Sequence, residues 1–203
     1  MLAVLDYGIG NLRSAQKALE HLGADARLVS EPAAAVGASG VVLPGVGAFG
    51  RCALALRDSG LDRVARQAID AGLPFLGICV GFQLLYEASE EAPGVAGLGV
   101  LPGTVRCLAQ GVKHPQMQWN VLQRRPGAPS GLLNGLSEAP WVYFVHSFAP
   151  ELTDDTTATC EYGGIVVAAA ERGAVWGTQF HPEKSSRTGL AVLANFVRAT
   201  GQV

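Results

Sequence analysis

Apolar and polar positions alternate along this chain in two rhythms. Through the first half, short apolar runs at 2–6, 26–29, 41–44 and 75–79 are separated by stretches at 12–22 and 51–71 where leucine and alanine recur at helical spacing. Apolar runs of strand length, bounded by glycine, proline and acidic residues, read as buried strands, and a 3.6-residue period reads as amphipathic helix. Strand and helix in alternation predict a parallel sheet wrapped by helices.

After residue 94 the rhythm changes to strands and turns, with strands expected at 99–105, 141–148, 165–170 and 174–179 before a closing helix at 189–200. The expected architecture is α/β: one domain over 1–203, with a central mixed, mostly parallel sheet flanked by helices. Residues 125–140, rich in Gly, Pro and Ser, read as a surface excursion within that domain. The apolar runs are too short to span a bilayer, and Asp6 closes the first of them before it could serve as a signal segment, so a soluble cytoplasmic protein is expected.

Fifteen basic residues against seventeen acidic ones give a net charge of -2, which offers no attraction to nucleic acid or to an anionic membrane. A small substrate is expected. Cys52, Cys79, Cys107 and Cys160 are far apart, with no C-x-x-C spacing and no neighbouring histidine pair, so no metal and no cofactor are expected.

One cysteine stands in a different setting. In Gly77-Ile78-Cys79-Val80-Gly81 an apolar strand runs straight into a segment of helical character, with glycines two residues to either side. This is the spacing of a nucleophile elbow, whose small flanking residues permit a sharp turn that presents the central side chain. A helix beginning at Val80 would favour the thiolate through its unpaired N–H groups and macrodipole, and the Val80 N–H would face a developing oxyanion. A base is available in Gln179-Phe180-His181-Pro182-Glu183, where Pro182 drives His181 into an extended conformation. In an extended segment Glu183 projects to the same side as His181 and can orient its ring, which gives a Cys-His-Glu triad. The glycine-rich loop Leu43-Pro44-Gly45-Val46-Gly47-Ala48-Phe49-Gly50 ends another strand of the same sheet. It lacks both the Lys-Ser/Thr ending of a phosphate loop and the G-x-G-x-x-G spacing, so it reads as a source of oxyanion N–H groups instead. On these residues a glutaminase, a cysteine peptidase, an esterase, or a subunit that kept only the fold are all open.

Together with Asp6-Tyr7-Gly8-Ile9-Gly10-Asn11-Leu12-Arg13-Ser14, Trp119-Asn120, Tyr143-Phe144-Val145-His146-Ser147, Tyr162-Gly163-Gly164 and Lys184-Ser185-Ser186, these motifs resemble the class I glutamine amidotransferases over nearly the whole chain. The branch most similar is the one that supplies ammonia for imidazole glycerol phosphate in histidine biosynthesis; branches serving pyridoxal phosphate or anthranilate synthesis are the alternative. The resemblance implies that Cys79 is the nucleophile, His181 the general base and acid, and Glu183 its orienting partner. It implies oxyanion donors on the backbone of Val80, Val46 and Gly47, and a glutamine site formed by Gln83, Glu91, Ser147 and Phe148. It also implies a heterodimer in which Asn11, Trp119, Tyr143 and Lys184 face a (β/α)8 cyclase that receives ammonia through an internal passage. The backbone at 45–47 is expected to turn into place only in that complex. The sequence departs from the family pattern at Val80, where leucine is common, and at Gln118, where glycine is common, which puts the loop before Trp119 in question.

Overall fold

The computed structural model describes every residue except Pro129 and Val203. The expected unit 1–203 and excursion 125–140 each contain a position outside the described residues. In chain order the first elements are β1 (Leu2–Leu5), α1 (Leu12–His21), β2 (Ala26–Val29), β3 (Gly40–Gly45), α2 (Phe49–Asp58), α3 (Leu61–Asp70), β4 (Phe75–Cys79) and α4 (Val80–Gln83). There follow β5 (Ala88–Ser89), β6 (Thr104–Cys107), β7 (Gln116–Val121), β8 (Gln123–Arg124), β9 (Trp141–His146), β10 (Phe148–Pro150), β11 (Thr156–Glu161), β12 (Ile165–Arg172), β13 (Val175–Thr178) and α5 (Ser186–Ala199).

Eight strands form the central sheet in the order β2-β1-β3-β4-β13-β12-β11-β8. The first five are mutually parallel, while β12, β11 and β8 each run antiparallel to the preceding neighbour. Every residue of β1, β3 and β4 is buried, as parallel strands covered on both faces require. β4, which ends at Cys79, lies between β3 and β13, with Gly45 opposite Cys79 and Thr178 opposite Ile78. Segments separated by more than 100 residues of chain therefore end side by side at one sheet edge, where open α/β sheets bind ligands. A three-stranded sheet (β10-β6-β5) and a two-stranded ribbon (β7-β9) stand beside that edge.

The expected helix over 51–71 is two helices. Gly60 takes φ +71°, a left-handed conformation that ends α2 and starts α3, so Ser59-Gly60 is a stop signal inside an otherwise helical pattern. The strand expected at 99–105 begins only at Thr104. Ahead of it the N–H groups of Leu98, Gly99, Val100 and Leu101 are taken by carbonyls of Leu84, Tyr86 and Leu85, which satisfies the backbone of the short turn after α4. The run at 141–148 is interrupted at Ser147. β7 and β11 were not expected: β7 alternates Met117, Trp119 and Val121 with polar residues but is exposed along much of its length, and β11 is threonine-rich. The excursion at 125–140 is not wholly on the surface. Leu132 and Leu133 are buried, and Asn195 Nδ2 donates to the carbonyls of Leu132 and Asn134, both at 2.8 Å. No helix among the described residues is long and apolar enough to cross a membrane.

The turn after β4 lies very close against the neighbouring strands. A Cβ on Gly81 would sit 1.8 Å from the Leu43 carbonyl oxygen, and one on Gly177 would sit 1.9 Å from the Phe82 ring. Backbone cannot yield as a side-chain tip can, so Gly81→Ala is expected to lower the unfolding free energy by about 3 kcal/mol, read from urea denaturation monitored by tryptophan fluorescence.

Candidate active site

Cys79 sits at the turn from β4 into α4 with φ 55° and ψ -112°. Among the described residues, only Cys79 and Ser186 combine positive φ with a side chain. A residue held in that region carries backbone strain, which persists only where packing over-determines it. Here the packing is that of Gly77 and Gly81. A Cβ on Gly77 would meet the Gly81 oxygen and the Phe82 Cα at 2.8 Å, so both glycines are needed for close approach. α4 is a single turn. The expected macrodipole contribution is therefore replaced by a local one, because aligned peptide dipoles accumulate only over several turns. Val80 N–H, at the first position of that turn, has no intrahelical acceptor.

His181 follows β13 with φ -95° and ψ 99°, and its N–H donates to the Tyr143 carbonyl at 3.0 Å. Ser185 Oγ donates to the His181 carbonyl at 2.6 Å and accepts from Tyr143 N–H at 2.9 Å, so the ring is fixed to β9 by its backbone. The sequence led to an extended segment through Glu183, and the structure departs from that. Pro182 opens a one-turn 3-10 helix, Pro182–Lys184, and that turn folds the carboxylate back to accept from His181 Nδ1 at 2.8 Å. The contact leaves Nε2 as the free end of the ring, buried and without a hydrogen-bond partner. Burial opposes protonation of His181, but the Cys79 sulfur and the Glu183 carboxylate outweigh it and push the ring up to about 10. The imidazole thus holds a proton at neutral pH on the side that faces the cysteine.

A cavity of about 250 Å³ opens at this point, lined by Val46, Gly47, Cys79, Val80, Gln83, Glu91, Pro115, Val145, His146, Ser147, Phe148 and His181. The structure brings together all the residues expected for chemistry, oxyanion and glutamine. Several arrive already engaged. Glu91 Oε2 accepts from Phe49 N–H at 2.7 Å, capping α2 from outside. Gln83 Nε2 donates to the Phe148 carbonyl at 2.8 Å and to Gln179 Oε1 at 3.0 Å, so its own oxygen is the atom left over. The Ser147 carbonyl accepts from Leu108 N–H. In the glycine loop, Gly47 has φ +90°, Cys52 Sγ donates to the Val46 carbonyl at 3.3 Å, and Tyr7 Oη donates to the Pro44 carbonyl at 2.7 Å.

The four residues expected at an interface do not line the cavity. Trp119 and Tyr143 pair across the β7-β9 ribbon with ring centroids 6.1 Å apart, and Trp119 is 45% exposed. Met117 and Trp141, also exposed, lie on the same ribbon face, which reaches the cavity wall at Val145. Lys184 is exposed beside Glu183, and Asn11, at the start of α1, accepts from Ser14 Oγ. Gln118 sits in regular strand opposite Phe144, so no irregular loop precedes Trp119.

Sequence reasoning assigned no role to His146 or Gln179, both buried at the site. Period-2 alternation in Val142, Phe144 and His146 is the signal that places His146 inward. Its Nδ1 donates to the Phe148 carbonyl at 2.9 Å, Nε2 is unpartnered, and burial pushes the ring down to about 4. In the unfolded chain His146 takes a proton near pH 6.5, before the folded protein does, so stability falls as pH drops from 6.5 to 4. His181 has the opposite sign, its contribution being complete below pH 6.5 and fading as pH climbs to about 10. Urea denaturation between pH 7 and 4 is expected to show a loss of roughly 3 kcal/mol attributable to His146, and the His146→Asn protein should lack that component.

Residues 3–200 match the family model described as "Glutamine amidotransferase class-I". Two similar proteins are each named "Imidazole glycerol phosphate synthase subunit HisH". The one from Moorella thermoacetica is 46% identical over 198 residues, covering 96% of this chain and 93% of that one. That from Synechococcus elongatus is 48% identical over 202 residues, covering 97% and 92%. Among solved structures, one named "Crystal structure of glutamine amidotransferase" aligns over 98% of both chains with TM-score 0.76 at 22% identity. "Structure of PurLQS from Thermotoga maritima" aligns over 97% of both with TM-score 0.76 at 21% identity. The two solved structures share the fold, and the family model and the full-length relatives settle the rest: the chain belongs to the class I glutamine amidotransferases, in the group of imidazole glycerol phosphate synthase HisH subunits.

Proposed function

We propose that the chain is one catalytic domain that hydrolyses glutamine to glutamate and ammonia, and that it passes the ammonia to a cyclase subunit that makes imidazole glycerol phosphate. The observation that carries this reading is the strained Cys79 facing a cavity shared with the free edge of a His181-Glu183 pair. The Cys79 thiolate attacks the side-chain amide carbon, and the oxyanion is held by Val80 N–H with a donor from the Val46-Gly47 stretch. His181 delivers its Nε2 proton to the departing nitrogen, the C–N bond breaks, and ammonia leaves. A γ-glutamyl thioester remains. The neutral ring then takes a proton from water, hydroxide adds to the thioester, and the thiolate departs as glutamate forms. Glu91 and the Gln83 oxygen, both acceptors, take the α-ammonium end of the substrate backbone, with Ser147 and Phe148 closing the wall.

The exposed apolar face of the β7-β9 ribbon supports a partner at this edge, since Trp119, Tyr143, Met117 and Trp141 form a contiguous patch rather than scattered surface residues. Asn11 and Lys184 are assigned to the same partner. The glycine loop is the gate. Its Val46 and Pro44 carbonyls are tied down by Cys52 and Tyr7, and Gly47 gives the pivot at which the donor turns once the partner is seated.

Glutamate release is expected to rise about 10²–10³-fold when a (β/α)8 cyclase and its ligand are added, the range associated with one oxyanion donor. Cys79→Ala should abolish release in both conditions while still binding the cyclase. Full turnover by the isolated chain would remove the gate, and release by Cys79→Ala would remove the nucleophile. Trp119→Ala is expected to weaken cyclase binding by about 2 kcal/mol, the scale of a buried aromatic anchor, measured by titration calorimetry.

A further inference from the structure

The mechanism above leaves one buried polar side chain at the sulfur without a part. Gln179 is fully buried on the segment between β13 and His181, with its backbone N–H on the Ala168 carbonyl at 2.8 Å. Its side-chain Nε2 lies 3.8 Å from Cys79 Sγ, and its Oε1 accepts from Gln83 Nε2 at 3.0 Å. An amide can be turned end for end without changing its outline, so which end faces the sulfur has to be argued from its partners.

Those partners leave one arrangement. The Phe148 carbonyl, 2.8 Å from the Gln83 amide, is an acceptor only, so the Gln83 nitrogen must face it; an oxygen there would oppose an oxygen. The second hydrogen of that nitrogen points to Gln179, which must then present its oxygen to Gln83. What remains facing Cys79 is the Gln179 NH₂ group, a donor. A main-chain carbonyl on β10 thus sets the polarity of two amides in series, and the series ends at the reacting sulfur.

We propose that Gln179 is a catalytic residue whose amide N–H donates to the Cys79 sulfur and favours its anionic form, with Gln83 and the Phe148 carbonyl fixing the direction of that donor. A hydrogen bond given to the charged form of an acid stabilises that form, and more so where water is excluded. The donor stands apart from His181, so it remains on the sulfur while His181 carries its proton to the leaving nitrogen. It also joins the substrate wall to the nucleophile, because Gln83 is at once a wall of the cavity and the group that orients Gln179.

The inference rests on Cys79 being the nucleophile, and the test reads the sulfur without using glutamine turnover. Alkylation of Cys79 by iodoacetamide is followed from pH 5.5 to 10 by mass spectrometry of the Cys79 peptide, which separates it from Cys52, Cys107 and Cys160, also free thiols. In Gln179→Met, similar in shape but without the donor, the profile should move up by about one pH unit and the rate at pH 7 should fall about tenfold. Gln179→Glu should move it further, since an acceptor or a like charge then faces the sulfur. Gln83→Met, which leaves Gln179 in place but frees its direction, should give a shift in the same sense and smaller. Urea denaturation identifies the folded variants. A Gln179→Met profile that overlays the wild type overturns the proposal, and if Gln179→Met does not fold, an unshifted Gln179→Glu or Gln83→Met overturns it in the same way. Loss of the Cys79 assignment would show separately, as glutamine hydrolysis by Cys79→Ala.

Discussion

The site depends on how closely the turn after β4 lies on the neighbouring strands. With hydrogen alone at Gly81, the backbone of that turn rests against the Leu43 carbonyl of β3, and Gly177 admits the Phe82 ring against β13. No side chain fits in either gap. This contact sets the direction in which Cys79 leaves the sheet and holds it at a positive φ that an unsupported residue would relax. The strain is local, and it is maintained by apolar strands buried at every position on β3 and β4.

From that fixed point the remaining groups reach the sulfur by different routes. β13 delivers His181, and Ser185 and Tyr143 fix its backbone, so the ring direction is set on the main-chain side and by Glu183 on the other. β3 delivers the glycine loop, whose carbonyls are held from behind by Cys52 and Tyr7. β10 contributes a single carbonyl, that of Phe148, which accepts from both Gln83 and His146 and so fixes two more walls of the cavity. The two buried histidines illustrate how environment divides one residue type into two roles. Burial acts on both, but His181 has a carboxylate and a sulfur to offset it and stays protonated, whereas His146 has only a neutral carbonyl and stays neutral.

The ordinary core and this site obey different rules. Strands with continuous apolar runs were legible because burial on both faces leaves no choice of residue type, and the elbow was legible because its glycines mark close backbone approach. Positions 116–121 and 156–161 were not. Their strands pair with β9 and β12; the first is a short alternation of Met117, Trp119 and Val121 with polar residues whose apolar side stays largely exposed, and the second is threonine-rich without an apolar period. The helix at 51–71 was read as continuous because its apolar spacing survives across Ser59-Gly60, although the backbone there turns left-handed. Glu183 reaches His181 Nδ1 not through an extended segment but through a 3-10 turn after Pro182 that brings the carboxylate round.

The amino-acid sequence by itself determined the fold class, the strand that ends in Cys79, and the cysteine, histidine and carboxylate that meet at the candidate site. These are local facts, carried by hydrophobic period, by glycine at sites of contact and by motif spacing. Only the tertiary structure decided which side chains reach the sulfur and in what state. Gln179 and His146 are unremarkable as residues along the chain, and become parts of the site because parallel pairing of β4 with β13, and the folding of β9 and β10 over the sheet edge, bring distant segments within hydrogen-bonding distance. The direction of an amide and the charge of a buried ring are properties of those neighbours, and no pattern along a single strand encodes them.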